Sequence, residues 1–268
     1  VTSFFSAFIV YKHISFISFT GILQNLPKNF TTVLSAVKFC SILCEIITIS
    51  GGIHMSIVSD IEKLKKEKNA VILAHYYVDE DVQDVADYIG DSFYLSKVAT
   101  KVSQDRIIFA GVEFMGESAK ILNPKKRVFM PDMNADCPMA HMADKDEILA
   151  LREKYDDIAV VCYINSTAEL KKYSDVCVTS SNAVKIVKNL PNKNIFFIPD
   201  RNLGSYVAKQ CPDKNFIFNN GCCPRHVVIT KDMVLKAKEL HPEARFAAHP
   251  ECTEDVLALA DYVGSTSG

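Results

Sequence analysis

The sequence has almost no surplus of charge: 30 Lys and Arg stand against 32 Asp and Glu, a net of -2 at pH 7. With a pI of about 6.4, that balance excludes the basic footprint of a nucleic-acid binder and the acidic tail of a solvated arm. There is no G-x-G-x-x-G and no phosphate loop ending in Lys-Ser or Lys-Thr, so a nucleotide has no motif to hold it. Long hydrophobic runs are missing as well. Lys, His, Pro or Gln breaks each apolar stretch before the roughly 20 residues that a membrane span needs. A basic start, an apolar block and a small-residue cleavage site, the marks of a secretory signal, are not in place. The expected partner is a small molecule, with no nucleic acid and no membrane.

What is present divides unevenly. The first 54 residues carry only Lys12, Lys28, Lys38 and Glu45 as charges and lack the period of a packed helix. We read them as upstream sequence translated in frame, with the natural start at Met55. The stretch "GGIHM" supports this, because two glycine codons can spell a ribosome-binding sequence a few nucleotides ahead of the methionine. Nine cysteines, at 40, 44, 137, 162, 177, 211, 222, 223 and 252, lie mostly in apolar runs of a chain large enough to form a core without staples. That usage fits a reducing cytoplasm, with metal or catalytic roles open for one or two of them.

From Met55 on, short apolar strands alternate with helical patterns: "AVILAH", "RIIFAGV", "RVFMPD", "IAVVCYIN", "VCVTS", "NIFFIPD" and "NFIFNNG" are the strands. Continuous apolar strands separated by helices predict an α/β fold of short parallel sheets covered on both faces. The period predicts a helix through "DEDVQDVADYIG", with Val82, Val85, Ala86 and Ile89 on one face and Gly90 as its terminator. The chain also repeats. "AHYYVDEDVQDVADYIGDS", "CYINSTAELKKYSDVCVTS" and "AHPECTEDVLALADYVGST" align, with Asp87, Asp175 and Asp261 in register at separations of 88 and 86 residues. We therefore expect a threefold repeat of one α/β/α unit, over 55–137, 138–223 and 224–268, around a central site. The third copy is expected to stop after its first helix, so that the chain is a fragment of a longer frame.

Ligands of parallel α/β sheets bind beyond the carboxyl ends of the strands. There the three copies offer His75 and Tyr77, Tyr163 and Asn165, and His249 and Glu251. The hydroxyls of Ser92, Ser180, Ser265 and Thr266 follow a second strand and are expected to open the next helix, where backbone N–H groups favour an anion. Cysteines echo too, Cys137 and Cys223 lying 86 residues apart after equivalent strands. The repeat predicts a third near position ~309. Three thiolates would leave one iron of a four-iron cluster open as a Lewis acid.

Several stretches, in order and spacing, closely resemble quinolinate synthase: "ILAHYYVDEDVQDVADYIGDS", "FAGVEFMGESAKIL", "MPDMNADCPMA", "YINSTAELKKYSDVCVTSSNAV", "IPDRNLGSYVA", "GCCPRH", "HPEC" and "ADYVGSTSG". The resemblance covers about residues 57–268. It implies condensation of iminoaspartate with dihydroxyacetone phosphate, with loss of phosphate and water, to quinolinate, the pyridine precursor of NAD. It implies an oxygen-sensitive [4Fe–4S] cluster on three cysteines, Cys137 and Cys223 here and a third beyond Gly268. Cys222 is the weaker candidate, since the family pattern Cys-x-x-His falls on Cys223 and His226. Cys252 follows the wrong strand. By the same resemblance Tyr77 and Glu251 do acid/base work, His75, His226 and His249 bind anions or shuttle protons, Ser92, Tyr163, Asn165 and Ser180 hold carboxylates and hydroxyls, and Ser265 and Thr266 meet the phosphate end. An aspartate oxidase or dehydrogenase is the implied source of iminoaspartate. The alternative is a cluster-less, non-catalytic binder of sugar phosphates or dicarboxylates on the same scaffold. The remaining cysteines read as core, His141 and His241 as surface, and the run "EKLKKEKN" as a solvated helix face.

Overall fold

In the computed structural model the residues described are 57–266; the segment 1–54 and the expected start at Met55 lie outside them. The described chain opens with α1 over residues 57–67. It continues through β1 (Ala70–His75), α2 (Glu80–Asp84), β2 (Tyr88–Gly90), α3 (Ser92–Lys101), β3 (Arg106–Ala110), α4 (Glu113–Leu122) and β4 (Arg127–Phe129). A 3-10 turn, Pro138–His141, and α5 (Lys145–Lys154) lead to β5 (Ile158–Tyr163), α6 (Ala168–Lys172), β6 (Val176–Val178), α7 (Ala183–Asn189), β7 (Asn194–Ile198), α8 (Arg201–Lys209) and β8 (Asn215–Phe218). Then come α9 (Lys231–Leu240), β9 (Ala247–Ala248), α10 (Glu254–Leu257) and β10 (Tyr262–Val263).

The α/β class with short parallel sheets is as the sequence predicts. Two four-stranded sheets have the orders β2-β1-β3-β4 and β6-β5-β7-β8, and every described pairing is parallel. Both central strands are buried along their whole length. In β5 the alternation divides the strand between two cores. Ala159, Val161 and Tyr163 join one with Phe197 and Leu203, whereas Ile158, Val160 and Cys162 join another with Phe196 and Ile198. Each fully buried Phe or Ile here contributes on the order of 2 kcal/mol, so a sheet covered on both faces needs the continuous apolar runs that the sequence displays.

The repeated aspartates have a structural task. The carboxylate of Asp87 accepts the N–H of Ile72 at 2.8 Å, while the Asp87 N–H donates to the Ile72 carbonyl. Asp175 makes the same pair of bonds with Val160, and Asp261 with Phe246. Each clamp ties the chain before the second strand of its unit to the first strand. Each carboxylate also meets a cation from the helix that precedes the first strand of its unit: Lys65 at 2.9 Å, Arg152 at 2.9 Å and Lys238 at 3.5 Å. The solvated run at 62–69 is therefore exposed apart from Lys65 and Glu62, with Lys65 turned in to Glu62 and Asp87.

This clamp corrects the helix predicted through residues 79–90. The helix stops at Val85, and Asp87 pulls the chain alongside β1, so residues 88–90 form a strand with Gly90 opposite His75. Val82, Val85, Ala86 and Ile89 have helical spacing, but Val82 lies in a short helix, Ile89 in that strand, and Val85 and Ala86 in the turn between them. The third copy likewise runs further than predicted, because Tyr262 and Val263 pair with Ala247 and Ala248 as its second strand. Lys126 and Lys214, 88 residues apart, each donate to carbonyls at the end of an earlier helix of their own unit, Ala99 and Val102 for one, Leu190 and Asn192 for the other.

Candidate functional site

In both four-stranded sheets the first strand in sequence has the second on one side and the third on the other. A crevice opens at the carboxyl end of such a strand, where the chain crosses over in opposite directions. His75 ends β1 and is 2% exposed. Its Nδ1 accepts the backbone N–H of Tyr77 at 3.3 Å, and the Nδ1 of His249 accepts that of Glu251 at 3.3 Å. An accepting Nδ1 places the proton of a neutral ring on Nε2. Burial lowers the pKa of His75 to about 4 and also lowers that of His249, so both rings favour this neutral form.

Glu251 is the hub. It is 3% exposed, and its Oε2 lies 2.8 Å from His226 Nδ1 and 3.8 Å from His249 Nδ1. The Tyr163 hydroxyl and the Cys223 thiol are further side-chain partners. Burial alone would push the carboxyl up, but the His226 hydrogen bond, the two imidazoles and Tyr163 outweigh it and hold Glu251 at about 2. Burial and Glu251 conversely push the Tyr163 hydroxyl well up. The rings of His226 and His249 stack at 5.1 Å between centroids. His226 Nδ1 also sits 3.0 Å from Cys223 Sγ, so one imidazole nitrogen touches both the carboxylate and the thiol.

Tyr77, His226, His249, Ser265 and Thr266, together with Tyr262 and Gly264, line a cavity of about 380 Å³. Tyr77 is open along its ring, 72% exposed, with its ring 3.9 Å from that of His75. Its hydroxyl end reaches toward Thr266 among protein groups, and that partial loss of water, followed by Glu251, raises its pKa. Ser92, Asn165 and Ser180 are half-buried and lie outside the lining of this cavity. Ser92 does begin α3, where the Asp91 carboxylate accepts the N–H of Tyr94; Ser180 precedes its helix by three residues. His141 and His241 are exposed, as predicted, with His141 paired to Asp136 at 2.7 Å.

Asp200 was not visible as a site residue in the sequence. It caps α8, accepting the N–H of Leu203 at 2.7 Å and of Cys223 at 3.0 Å, and has no exposed surface. Burial and the nearby Glu251 raise its pKa to about 7. The signal was a break in the repeat, since Val112 stands 88 residues earlier at the cap of α4. The loop beside it requires glycine at 221, where an added Cβ would lie 2.5 Å from the Pro199 carbonyl. That loop delivers Cys223.

The family profile described as Quinolinate synthetase A protein (NadA) matches residues 59–268. The chain belongs to the quinolinate synthase family. It is 62% identical to the quinolinate synthase of Fusobacterium nucleatum over 208 residues, 78% of this chain and 70% of that protein. The quinolinate synthase of Caldicellulosiruptor saccharolyticus is 55% identical, over 77% of this chain and 68% of its own, and that of Clostridioides difficile 51% identical, over 78% and 68%. Quinolinate synthases are enzymes of NAD biosynthesis, and nothing in the site favours the reading as a non-catalytic binder. Among the described residues no helix is long and apolar enough to cross a membrane.

The residues fit a thiolate-bound metal group. Cys137 and Cys223 are free thiols against one core, Cys223 within it and Cys137 packed on its rim. Burial pushes both thiols up. A cation is what such thiols need in order to ionise, and thiolates of this kind hold iron–sulfur clusters. Cys223, His226 and Glu251 also present ligand atoms within 4.8 Å of one another. Cys252 is buried in a separate core with Val234 and Val256.

Proposed function

We propose that the quinolinate formed here comes from iminoaspartate and dihydroxyacetone phosphate, and that Cys137, Cys223 and a third cysteine outside this chain hold a [4Fe–4S] cluster beside Glu251. The cluster would supply a Lewis-acidic iron to a substrate oxygen. The chain's own residues supply the proton handling. Tyr77 and Glu251 do the acid/base work: the raised pKa keeps the Tyr77 hydroxyl protonated as a donor, and Glu251 is held ionised as an acceptor. Neutral His75 and His249 donate from Nε2, and His226 links Glu251 to the cluster cysteine. Ser265 and Thr266 take the phosphate end, and Ser92, Tyr163, Asn165 and Ser180 take carboxylates and hydroxyls. The units are 55–137, 138–223 and 224–268, each contributing one edge of the site. The cytoplasm, with an aspartate oxidase or dehydrogenase as supplier of the unstable imine, is the setting this chemistry needs.

The observation that carries this reading is the buried Glu251 carboxylate in contact with His226, which in turn touches the Cys223 thiol. The test is anaerobic reconstitution of the full-length protein with iron and sulfide, followed by dihydroxyacetone phosphate and iminoaspartate generated in place by an aspartate oxidase. Quinolinate detected by mass spectrometry is expected, together with loss of the cluster absorbance in Cys137→Ala and Cys223→Ala. A fully loaded protein that makes no quinolinate from this pair would sink the substrate assignment.

A further inference from the structure

Away from the site, Cys162 and Cys177 are direct partners in the pairing of β5 with β6. Paired residues on adjacent strands project to the same face and stand about 5 Å apart at Cα, within the ~4.4–6.8 Å that a disulfide spans. The two thiols are close enough to hydrogen-bond each other. Their exposure differs, because β6 is the edge strand of its sheet while β5 is central: Cys177 is exposed and Cys162 has no accessible surface.

Three further groups address the pair. The Lys171 ammonium, on α6, hydrogen-bonds to the Ser118 hydroxyl at 2.8 Å and the Phe114 carbonyl at 3.3 Å, and makes no ion pair with a carboxylate within 4.0 Å among the described residues. Both thiols lie within its field. The buried hydroxyl of Ser166, without a hydrogen-bond partner that meets ordinary geometry, is turned toward Cys162, and Ser174 lies beside it. A cation in no direct ion pair and a hydroxyl turned toward the sulfur are what a thiolate requires. The Cys177 hydrogen bond, against the opposing effect of burial, pulls Cys162 down, while Cys177 is pushed up.

We propose that Cys162 and Cys177 are a redox-active dithiol that closes to a disulfide across β5 and β6 by exchange with a small-molecule disulfide. Cys177 Sγ, the sulfur open to solvent, loses its proton to water and attacks a disulfide such as oxidised glutathione, releasing one glutathione thiolate, which takes up a proton. Cys162, its own proton lost to water, attacks Cys177 Sγ as the thiolate, and the second glutathione leaves as thiolate and takes up a second proton. Two protein thiols lose two electrons, one small disulfide gains them, and two glutathione thiols are formed. The new bond lies one residue before Tyr163 and two before Thr179, so it fastens the edge strand at the end nearest the site.

The test is anaerobic incubation of the full-length holoenzyme with oxidised glutathione, read by intact mass and peptide mapping. The expected product has lost two hydrogens, carries no glutathione and yields one linked peptide pair joining Cys162 to Cys177, formed at least about tenfold faster than any other cysteine pair. Cys162→Ser is expected to retain glutathione on Cys177. Cys177→Ser, at an exposed edge position, is expected to show neither adduct nor link there. A wild-type protein that keeps glutathione stably on Cys177, or whose two thiols both survive the oxidant, overturns the proposal.

Discussion

The two four-stranded sheets have one topology and two kinds of strand end. In both, the central strand is buried from end to end, an aspartate clamps the first strand, a basic residue from the preceding helix meets that aspartate, and a lysine closes an earlier helix. At their carboxyl ends they part. The first presents a buried neutral His75 with Tyr77 above it, where the second has Tyr163 and Asn165; the first caps the helix after its third strand with Val112, the second with buried Asp200. What closes the sheet is kept between copies, and what faces the site is varied. Function here is written in the departures from the repeat.

That division can be broken by substitution at matched positions. Tyr77 and Asn165 are equivalent, yet Tyr77→Phe is expected to lower turnover by at least about 100-fold. Fold and cluster absorbance should be retained. Full activity of this variant would remove Tyr77 as the acid. The next effect concerns pH. Burial lowers the pKa of His75 to about 4 in the folded chain, so the unfolded chain takes up protons first as pH falls. Stability contributed by this neutral ring is complete above pH 6.5 and declines toward pH 4, a loss of roughly 3 kcal/mol. His75→Asn, which keeps an acceptor for the Tyr77 N–H, should flatten that slope in urea titrations at pH 7 and pH 4.5. An unchanged slope would place the sensitivity elsewhere.

The smallest effects test what the copies share. Asp87→Asn and Asp175→Asn should each cost about 1–2 kcal/mol, and by similar amounts, since each weakens a charged hydrogen bond and a partly exposed ion pair. Asp261→Asn should cost less, because its lysine stands at 3.5 Å and its sheet has two residues per strand among those described. Urea midpoints measure all three. A large difference between Asp87 and Asp175 would contradict the equivalence of the two clamps.

Much of this was legible in the sequence because its signals were long. The apolar runs at 70–75, 106–110, 158–163 and 194–198 are strands, and the 88-residue and 86-residue spacing brings His75, Tyr77, His249 and Glu251 into one frame. The segment 79–90 was misread because a five-residue helix and a three-residue strand together produced one helical period, and the interaction that separates them is tertiary. Asp200 was missed for a related reason. Its sequence neighbourhood is that of an ordinary helix cap, and only packing against Cys223 and Glu251 removes it from water. The thiol pair at 162 and 177 was read as core, which holds for Cys162 and fails for Cys177, on an edge strand that sequence alone does not identify.

The aspartate clamps also bear on how the chain folds. Parallel strands ordinarily need long crossovers, and sheets built from them form slowly because distant segments must find one another. Here each clamp joins residues only 15 apart. Closing so short a loop takes on the order of 100 ns and little entropy. The first pairing of each unit is therefore available while the rest of that unit is still being synthesised, and a sheet of non-local topology can grow from a local seed.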